Sequence, residues 1–391
     1  MSSNSYDLAI IGAGINGVGI AECAAAAGYR VLVIERKGVG SETSCRSSKL
    51  IHGGLRYLES GQIGLVKKAL RARRTLLKIA PDLVHPVPFV FPVYQHSKRA
   101  PWILGTGLAL YGVLAGLDPL AKFRRVAETE WDQLDGLMFD DLAAVFQYWD
   151  AQTDDQLLTR SVMESAQRCG AELLCPVAVE KVTFKQNRYQ ITMDSGEQLE
   201  TSVVVNSAGP WVNEVLACVV PEVKPVPIHW VQGAHIELTG PVPKQIYYLE
   251  SPGDGRVVFV MPWQDRIMVG TTETQYEQLP EHIEATPQEV DYLLNVYRHY
   301  FPLHKVSLVS SWAGLRVLPA MNDNPFSRPR DTWLQSSPNH PNMLNVYGGK
   351  LTTYRDTAIR AVKWCRSRLG LRPEVADYQT LKLVPPEDAI S

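Results

Sequence analysis

The sequence predicts a mixed α/β and α+β protein: a Rossmann-like dinucleotide-binding domain with an antiparallel-sheet substrate domain inserted into it. Three observations carry that prediction. The first is a strand, glycine turn, helix and strand in succession between Tyr6 and Arg36. The second is length, because 391 residues exceed one ordinary core and two domains are expected. The third is a set of short apolar runs from Lys224 to Gly270, separated by Gly, Pro and Asp turns, which read as strands of a second sheet.

The first stretch carries the strongest pattern. Leu8 to Ile11 is an apolar run of buried-strand type. Gly12, Gly14 and Gly17 then form G-x-G-x-x-G. Gly12 permits the tight turn, Gly14 admits a pyrophosphate, and Gly17 lets the helix pack closely on the strand. The alanine-rich helix from Ile15 to Ala27 stops at Gly28. Tyr29 to Ile34 is the second strand, and Glu35 ends it, 23 residues after Gly12. A carboxylate there can accept both hydroxyls of an adenosine ribose. A plain α/β turn would not need that acid. The motif alone does not separate FAD from NAD.

Composition narrows the class. An apolar content of 45% and a charged content of 20% describe a soluble globular protein. A net charge of -2 excludes a globally basic nucleic-acid binder, and no nucleic-acid partner is expected. The six cysteines show no C-x-x-C spacing, so reduced thiols in a cytoplasmic protein are expected and no metal site is. MSSNSY leads directly into the first strand, with no secretory leader.

The loop after Glu35 is dense in hydroxyls, at Ser41, Thr43, Ser44, Ser47 and Ser48, and continues through His52, Gly53, Gly54, Arg56 and Tyr57. Hydroxyls and free backbone N–H groups suit a pyrophosphate and the polar edge of an isoalloxazine. Leu50, Ile51, Leu55 and Leu58 lie among them and argue for a packed segment rather than a polar surface loop.

Here the chain resembles a known family. SSKLIHGGLRYLE, from Ser47 to Glu59, resembles the signature of the FAD-dependent glycerol-3-phosphate dehydrogenases, flavin enzymes related to glycine oxidase and D-amino acid oxidase. NSAGPW at 206–211, GAHI at 233–236, VFVMPW at 258–263, GTT at 270–272, AGLRVL at 313–318 and GGKLTTY at 348–354 continue the resemblance in order along nearly the whole chain. It implies FAD as cofactor, held by Gly12, Gly14, Asn16, Gly17, Glu35, Arg36, Thr43, Ser44, Ser47, Ser48, Leu50, Val179, Ala208, Gly209, Gly349, Leu351 and Thr352. It implies an FAD domain assembled from 1–80, 152–212 and 343–391, and a substrate domain from 81–151 and 213–342. It also implies a quinone acceptor and a peripheral position on the cytoplasmic face of a membrane. Two departures stand out. The family continues into a helical domain where this chain ends at Ser391, and Cys45-Arg46 replaces the small residues usual in the flavin loop. Oligomeric state is not readable.

The remaining elements follow in order. Lys67 to Lys78 is a basic helix with Leu70, Leu76 and Leu77 as apolar partners, fit either for anionic lipid or for an ordinary solvated face. Trp102 to Leu117 is uncharged for 16 residues, short of the ~20 a spanning helix needs, so a buried or interface-dipping helix is expected. Glu128 to Asp155 reads as acidic, aromatic surface. Leu157 to Cys169 is a helix ending at Gly170, and Ala171 to Leu174 is a short strand. Val177, Val179 and Val182 alternate along a strand, which by resemblance to flavin enzymes is the one that covers the adenine, and Asp194-Ser195-Gly196 turns a hairpin. Val203 to Val205 leads to small residues at Asn206–Pro210, where a nucleotide can approach the backbone. Ile228 to Val231, His235 to Leu238, Val257 to Met261 and Ile267 to Val269 are the substrate strands. Thr286 caps a helix from Pro287 to Phe301, and Val306 to Trp312 is a strand. Gly348 to Thr353 follows the strand Met343–Tyr347 and opens the last helix, whose N-terminus can stabilise charge on a flavin.

Scattered cations carry the chemistry. A phosphate dianion needs several charge-assisted hydrogen bonds, which arginine supplies as a planar fork. Arg56, Tyr57 and Arg330 are the candidate substrate-binding residues, and His235, Arg316 and Lys350 the candidate catalytic ones. The expected substrate is a small phosphorylated polyol. A base removes the hydroxyl proton while hydride leaves carbon for flavin N5, with His235 or Arg316 as base or alkoxide stabiliser and His52 as a second histidine candidate. Three functions fit: oxidation of sn-glycerol 3-phosphate to dihydroxyacetone phosphate, flavin oxidation of a 2-hydroxy acid or amine, or flavin binding with little turnover.

Overall fold

A computed structural model of the chain describes residues 5–59, 61–116, 118–277, 280–281, 283–319 and 332–389. Two sheets organise it. In the first, the strand Ser5–Ile11 lies at the centre, parallel to Val31–Ile34 on one side and to Gln198–Asn206 on the other. Glu172–Leu174 extends it beyond Val31–Ile34, and His340–Tyr347 runs parallel to Gln198–Asn206. The helices Ile15–Ala26, Asp155–Arg168 and Tyr354–Leu369 share one core with this sheet, built from Leu8, Val33, Leu158, Val205 and Ala361. The expected strand, turn, helix and strand are all present, and Gly28 has φ +85°, beyond the reach of most side chains.

The second sheet runs in the order Thr274–Tyr276, Ile228–Thr239, Arg266–Gly270, Val257–Trp263, Ile246–Glu250, Val84–Tyr94, Leu142–Thr153 and Leu50–Ile51. Ser307–Pro319 pairs along the whole of Ile228–Thr239. Side chains alternate between its two faces. Val90, Tyr94 and Val145 pack toward the helix Pro287–Tyr300. Phe89, Phe91 and Phe146 pack toward the helices Ile63–Ile79 and Pro101–Ala115.

Several expectations change. Glu128 to Asp155 is not all surface: Leu142–Thr153 is a long, largely buried strand. Its aromatic residues mark a sheet face rather than an exposed loop. Its partner Val84–Tyr94 contains Pro86, Pro88 and Pro92, which masks it as a strand. All three prolines share one parity, so the donors they lack fall along one side while the ladder to Leu142–Thr153 forms along the other. Ile228–Thr239 is one strand rather than two, because Gly233 stays extended. Ser307–Pro319 runs past the expected end at Trp312 and takes Arg316 into the sheet. The last helix starts at Tyr354, after a 3₁₀ turn at Leu351–Thr353, and not at the glycines. Thr286 caps Pro287–Tyr300 as expected, with Glu289 completing a capping box.

The glycine turn gives a direct test. A Cβ on Gly17 would lie 1.9 Å from the Gly12 carbonyl oxygen, whereas one on Gly107 meets nothing within 4 Å. Gly17→Ala should destabilise the fold by about 1–3 kcal/mol through overpacking. Gly107→Ala, inside the helix Pro101–Ala115, should be neutral or stabilise by up to about 1 kcal/mol. Thermal or urea unfolding of both variants checks this.

Candidate active site

A cavity of about 560 Å³ takes its lining from both sheets. The glycine turn forms one wall. Gly12 has φ +101°, and a Cβ there would meet the Ser207 carbonyl oxygen at 2.7 Å. The helix Ile15–Ala26 begins after Gly14 with no cap of its own and no acidic residue in its first turn. Ser44, from the hydroxyl-rich loop, accepts the Ile15 N–H at 2.9 Å. That leaves a positive helix end facing the cavity, as an anionic group requires. Glu35 sits at the end of the second strand and accepts the N–H groups of Ala13 and Lys37, each at 2.8 Å. Two oxygens so oriented keep lone pairs for further hydroxyls.

Opposite the turn lies Gly348-Gly349. Gly349 has φ +118°, and a Cβ there would strike the Asn16 side chain. Asn16 donates to the Gly348 carbonyl at 3.1 Å, and its Oδ1 is buried without a partner among the described residues. An orphaned buried acceptor on this wall awaits a donor from a ligand. Asn16, Arg36, Thr43, Ser47, Ser48, Leu50, Val179, Ala208, Gly209, Leu351 and Thr352 also line the cavity. Gly17 does not, because its place is against the Gly12 carbonyl. Arg36 stacks on Trp211 at 4.4 Å and lies 3.9 Å from Glu214. The open helix end, the Glu35 acid, the orphaned Asn16 oxygen and the length of the lining together fit FAD.

The hydroxyl-rich loop is fixed by a buried carboxylate that the sequence did not single out. Asp155 accepts Ser47 N at 2.9 Å, Ser47 Oγ at 2.7 Å and Lys49 Nζ at 2.5 Å. Burial pushes the Asp155 carboxyl up, and Lys49 and Ser47 pull it back. Lys49 also donates to the Cys45 carbonyl at 2.7 Å and holds φ +59°, a strained value for a side-chain-bearing residue. The loop reaches the second sheet through Thr43, which donates to Leu315 at 3.1 Å, and Arg46, which donates to Ile283 and Ala313 at 3.0 and 3.2 Å. The unusual Arg46 is therefore a strut between loop and sheet. A second buried carboxylate, Asp150, accepts from Arg73, Tyr111 and Gly53, and so seats the His52–Gly54 turn.

His235, Arg316, Lys350, Tyr57 and His52 all line the same cavity. Arg330 and the side chain of Arg56 lie outside the described residues. His235 is 1% exposed, stacks on Trp312 at 5.6 Å, and shares a 2.9 Å hydrogen bond between its Nε2 and Ser48 Oγ. Lys350 Nζ sits 4.1 Å over the Tyr57 ring. Arg316 lies 3.2 Å from Glu273, a cavity residue that sequence reading missed. Arg256 was missed too, and donates to the Glu273 carbonyl at 2.9 Å. Both are single charges in polar turns with no spacing to mark them. Tyr248 and Phe259 complete the apolar side.

Burial, reinforced by the Arg316 and Lys49 charges, holds His235 down at about 3 from its ordinary 6.5. The unfolded chain therefore binds a proton here that the folded chain refuses. The stabilising contribution is complete above about pH 6.5 and falls away as pH drops toward 3. His235→Gln should show a shallower loss of melting temperature between pH 7 and pH 4 than the wild type, measured by calorimetry at fixed ionic strength.

Comparison with known proteins agrees with this geometry. Residues 7–355 match the family model described as FAD dependent oxidoreductase. The chain is 33% identical over 381 residues to a glycerol-3-phosphate dehydrogenase of Synechocystis, covering 91% of this chain and 69% of that one. It is 34% identical over 369 residues to a D-erythritol 1-phosphate dehydrogenase of Brucella abortus, covering 91% and 72%. Among solved structures, the glycerol-3-phosphate dehydrogenase of Bacillus halodurans complexed with FAD superposes with a TM-score of 0.77 at 24% identity, covering 98% of this chain and 68% of that one. The family model covers most of the chain and the curated relatives match along most of its length, and this chain belongs to the FAD-dependent oxidoreductase family that includes the glycerol-3-phosphate dehydrogenases.

Proposed function

We propose that the chain oxidises the secondary alcohol of a small phosphorylated polyol, sn-glycerol 3-phosphate first among them, to the ketone and passes the electrons to a quinone. The observation that carries this reading is Lys350. It lines the cavity beside Tyr57, and among the described residues no carboxylate neutralises it. A buried-side cation so placed calls for an anionic substrate group. The names of the Synechocystis and Brucella relatives both specify phosphorylated polyols, which supports the same class.

FAD supplies the two-electron acceptor. The chain's own residues bind, orient and move the proton. Lys350 and Tyr57 hold the phosphate arm. Arg316 donates to the reacting oxygen as charge develops on it. His235 is neutral at pH 7 and takes the hydroxyl proton, with Ser48 fixing the ring. Burial first, and the Arg316 and Lys49 charges second, keep the ring neutral before substrate binds. His52 is less suited, because its Nδ1 already accepts the Gly54 N–H at 3.1 Å. The FAD domain is assembled from 1–80, 152–212 and 343–391, with 81–151 and 213–342 forming the substrate domain.

Membrane contact is part of the proposal. Among the described residues no helix is long and apolar enough to cross a membrane. The helix Pro101–Ala115 nevertheless presents an outward stripe of Trp102, Thr106, Leu110 and Val113, with Trp102 73% and Val113 76% exposed. The neighbouring helix Ile63–Ile79 exposes Lys67, Arg71, Arg74 and Lys78 at helical spacing. An apolar stripe beside a basic one suits the cytoplasmic face of an anionic bilayer.

Anaerobic addition of sn-glycerol 3-phosphate should bleach the bound flavin, and a quinone should restore its colour. Lys350→Met should raise the substrate concentration for half-maximal bleaching by about 10- to 100-fold, with the loss of a charge-assisted contact. Arg316→Gln should slow bleaching itself by about 100- to 1,000-fold. No bleaching by this alcohol, with bleaching by a 2-hydroxy acid or amine, would reject the substrate. Trp102→Asp with Val113→Asp should abolish sedimentation with anionic vesicles while leaving bleaching by soluble substrate unchanged.

A further inference from the structure

Five described cations line the cavity, and they are not equivalent. Arg36 lies near Glu214, Arg256 pairs with Asp254, and Arg316 pairs with Glu273. Arg46 is committed to the carbonyls of Ile283 and Ala313. Among the described residues Lys350 meets the face of Tyr57 and no carboxylate. The Glu273 side chain is 13% exposed, and its carboxylate sits on the cavity wall 3.2 Å from the guanidinium of Arg316. Its backbone carbonyl is tied to Arg256, and the adjoining Thr272 and Thr274 hydroxyls both donate to the buried Glu289, at 2.7 and 2.8 Å. Glu273 is therefore held on a braced segment rather than on a loose loop.

A carboxylate at that point has a consequence for any ligand. An anionic group placed on Arg316 would lie beside Glu273 and be repelled, whereas a hydroxyl would find both a donor and an acceptor. We infer that Glu273 is a specificity-determining residue. It reserves the Arg316 end of the cavity for the hydroxyl-bearing end of the substrate, directs the phosphate arm to Lys350 and Tyr57, and excludes compounds that carry a carboxylate where the polyol has its terminal hydroxymethyl group. The inference rests on the polyol-phosphate reading above and deepens it. It also gives a physical reason for phosphorylated polyols over 2-hydroxy acids in a fold that many amine and acid oxidases share.

The probe is L-3-phosphoglycerate, which keeps the phosphate and the secondary hydroxyl of sn-glycerol 3-phosphate in the same configuration and carries a carboxylate at the far end. Its inhibition of anaerobic flavin reduction by sn-glycerol 3-phosphate is measured on the FAD-loaded wild type and on Glu273→Gln, which keeps the shape and the hydrogen bond to Arg316 but not the charge. Glu273→Gln should bind the probe about tenfold or more tightly than the wild type, because one like-charge contact is relieved. Binding of glycerol 3-phosphate should not tighten, so the ratio of probe to substrate affinity should rise about tenfold or more. Equal shifts for both compounds, or no shift for the probe, would overturn the assignment. Should Glu273→Gln fail to hold flavin, Glu273→Ala and the wild type decide it. In the wild type alone the probe must bind at least about tenfold more weakly than glycerol 3-phosphate, and comparable binding overturns the inference. If the wild type is not reduced by glycerol 3-phosphate at all, the polyol-phosphate reading has failed. Reduction with an unchanged probe ratio fails only the role of Glu273.

Discussion

The buried Asp155 carboxylate is the constraint on which the site depends. It sits in the first turn of the helix Asp155–Arg168, fully buried, and gathers Ser47 and Lys49 around it. Removing one partner of such a pair leaves a charge stranded in the interior, at a cost of about 3–5 kcal/mol. The pairing therefore forces the loop into one path. Along that path Ser44 meets the first helix, Ser48 meets His235, and Thr43 and Arg46 meet the strand that carries Arg316. One loop thus sets the dinucleotide wall and the substrate wall in a common frame. The positive φ of Lys49 is the local strain that this arrangement holds in place.

Electrostatics then divides the cavity into ends. The first helix's N-terminus and Glu35 lie together on one wall of it. Among the described residues Lys350 lies over Tyr57 and meets no carboxylate, and Arg316 pairs with Glu273. His235, buried between Trp312 and the Ser48 hydroxyl, is kept neutral first by burial and then by the Arg316 and Lys49 charges.

Much of the first sheet was legible because its signals are local. The Gly12, Gly14 and Gly17 spacing and the acid at Glu35 each act within a few residues of where they are read, as does the Thr286 cap beside the second sheet. The second sheet was less legible because its strands are specified by partners far away. Val84–Tyr94 hides behind three prolines whose effect depends on which side the neighbour lies. Leu142–Thr153 looks like surface until its ladder is known. Arg316 and Lys350 could be found beside glycine-rich strings, but Glu273 and Asp155 could not. A lone carboxylate announces itself only through the cation it meets, and Lys49 lies 106 residues from Asp155.

The central claim is that the cavity receives a polyol phosphate with its phosphate on Lys350 and its hydroxyl end on the Arg316–Glu273 pair. The most direct measurement is a crystal structure of the FAD-bound protein with dihydroxyacetone phosphate. The account predicts phosphate density within hydrogen-bond reach of Lys350 Nζ and the carbonyl end against Arg316, with the Arg316–Glu273 contact intact. Phosphate seated on Arg316, with Glu273 turned away, would contradict it.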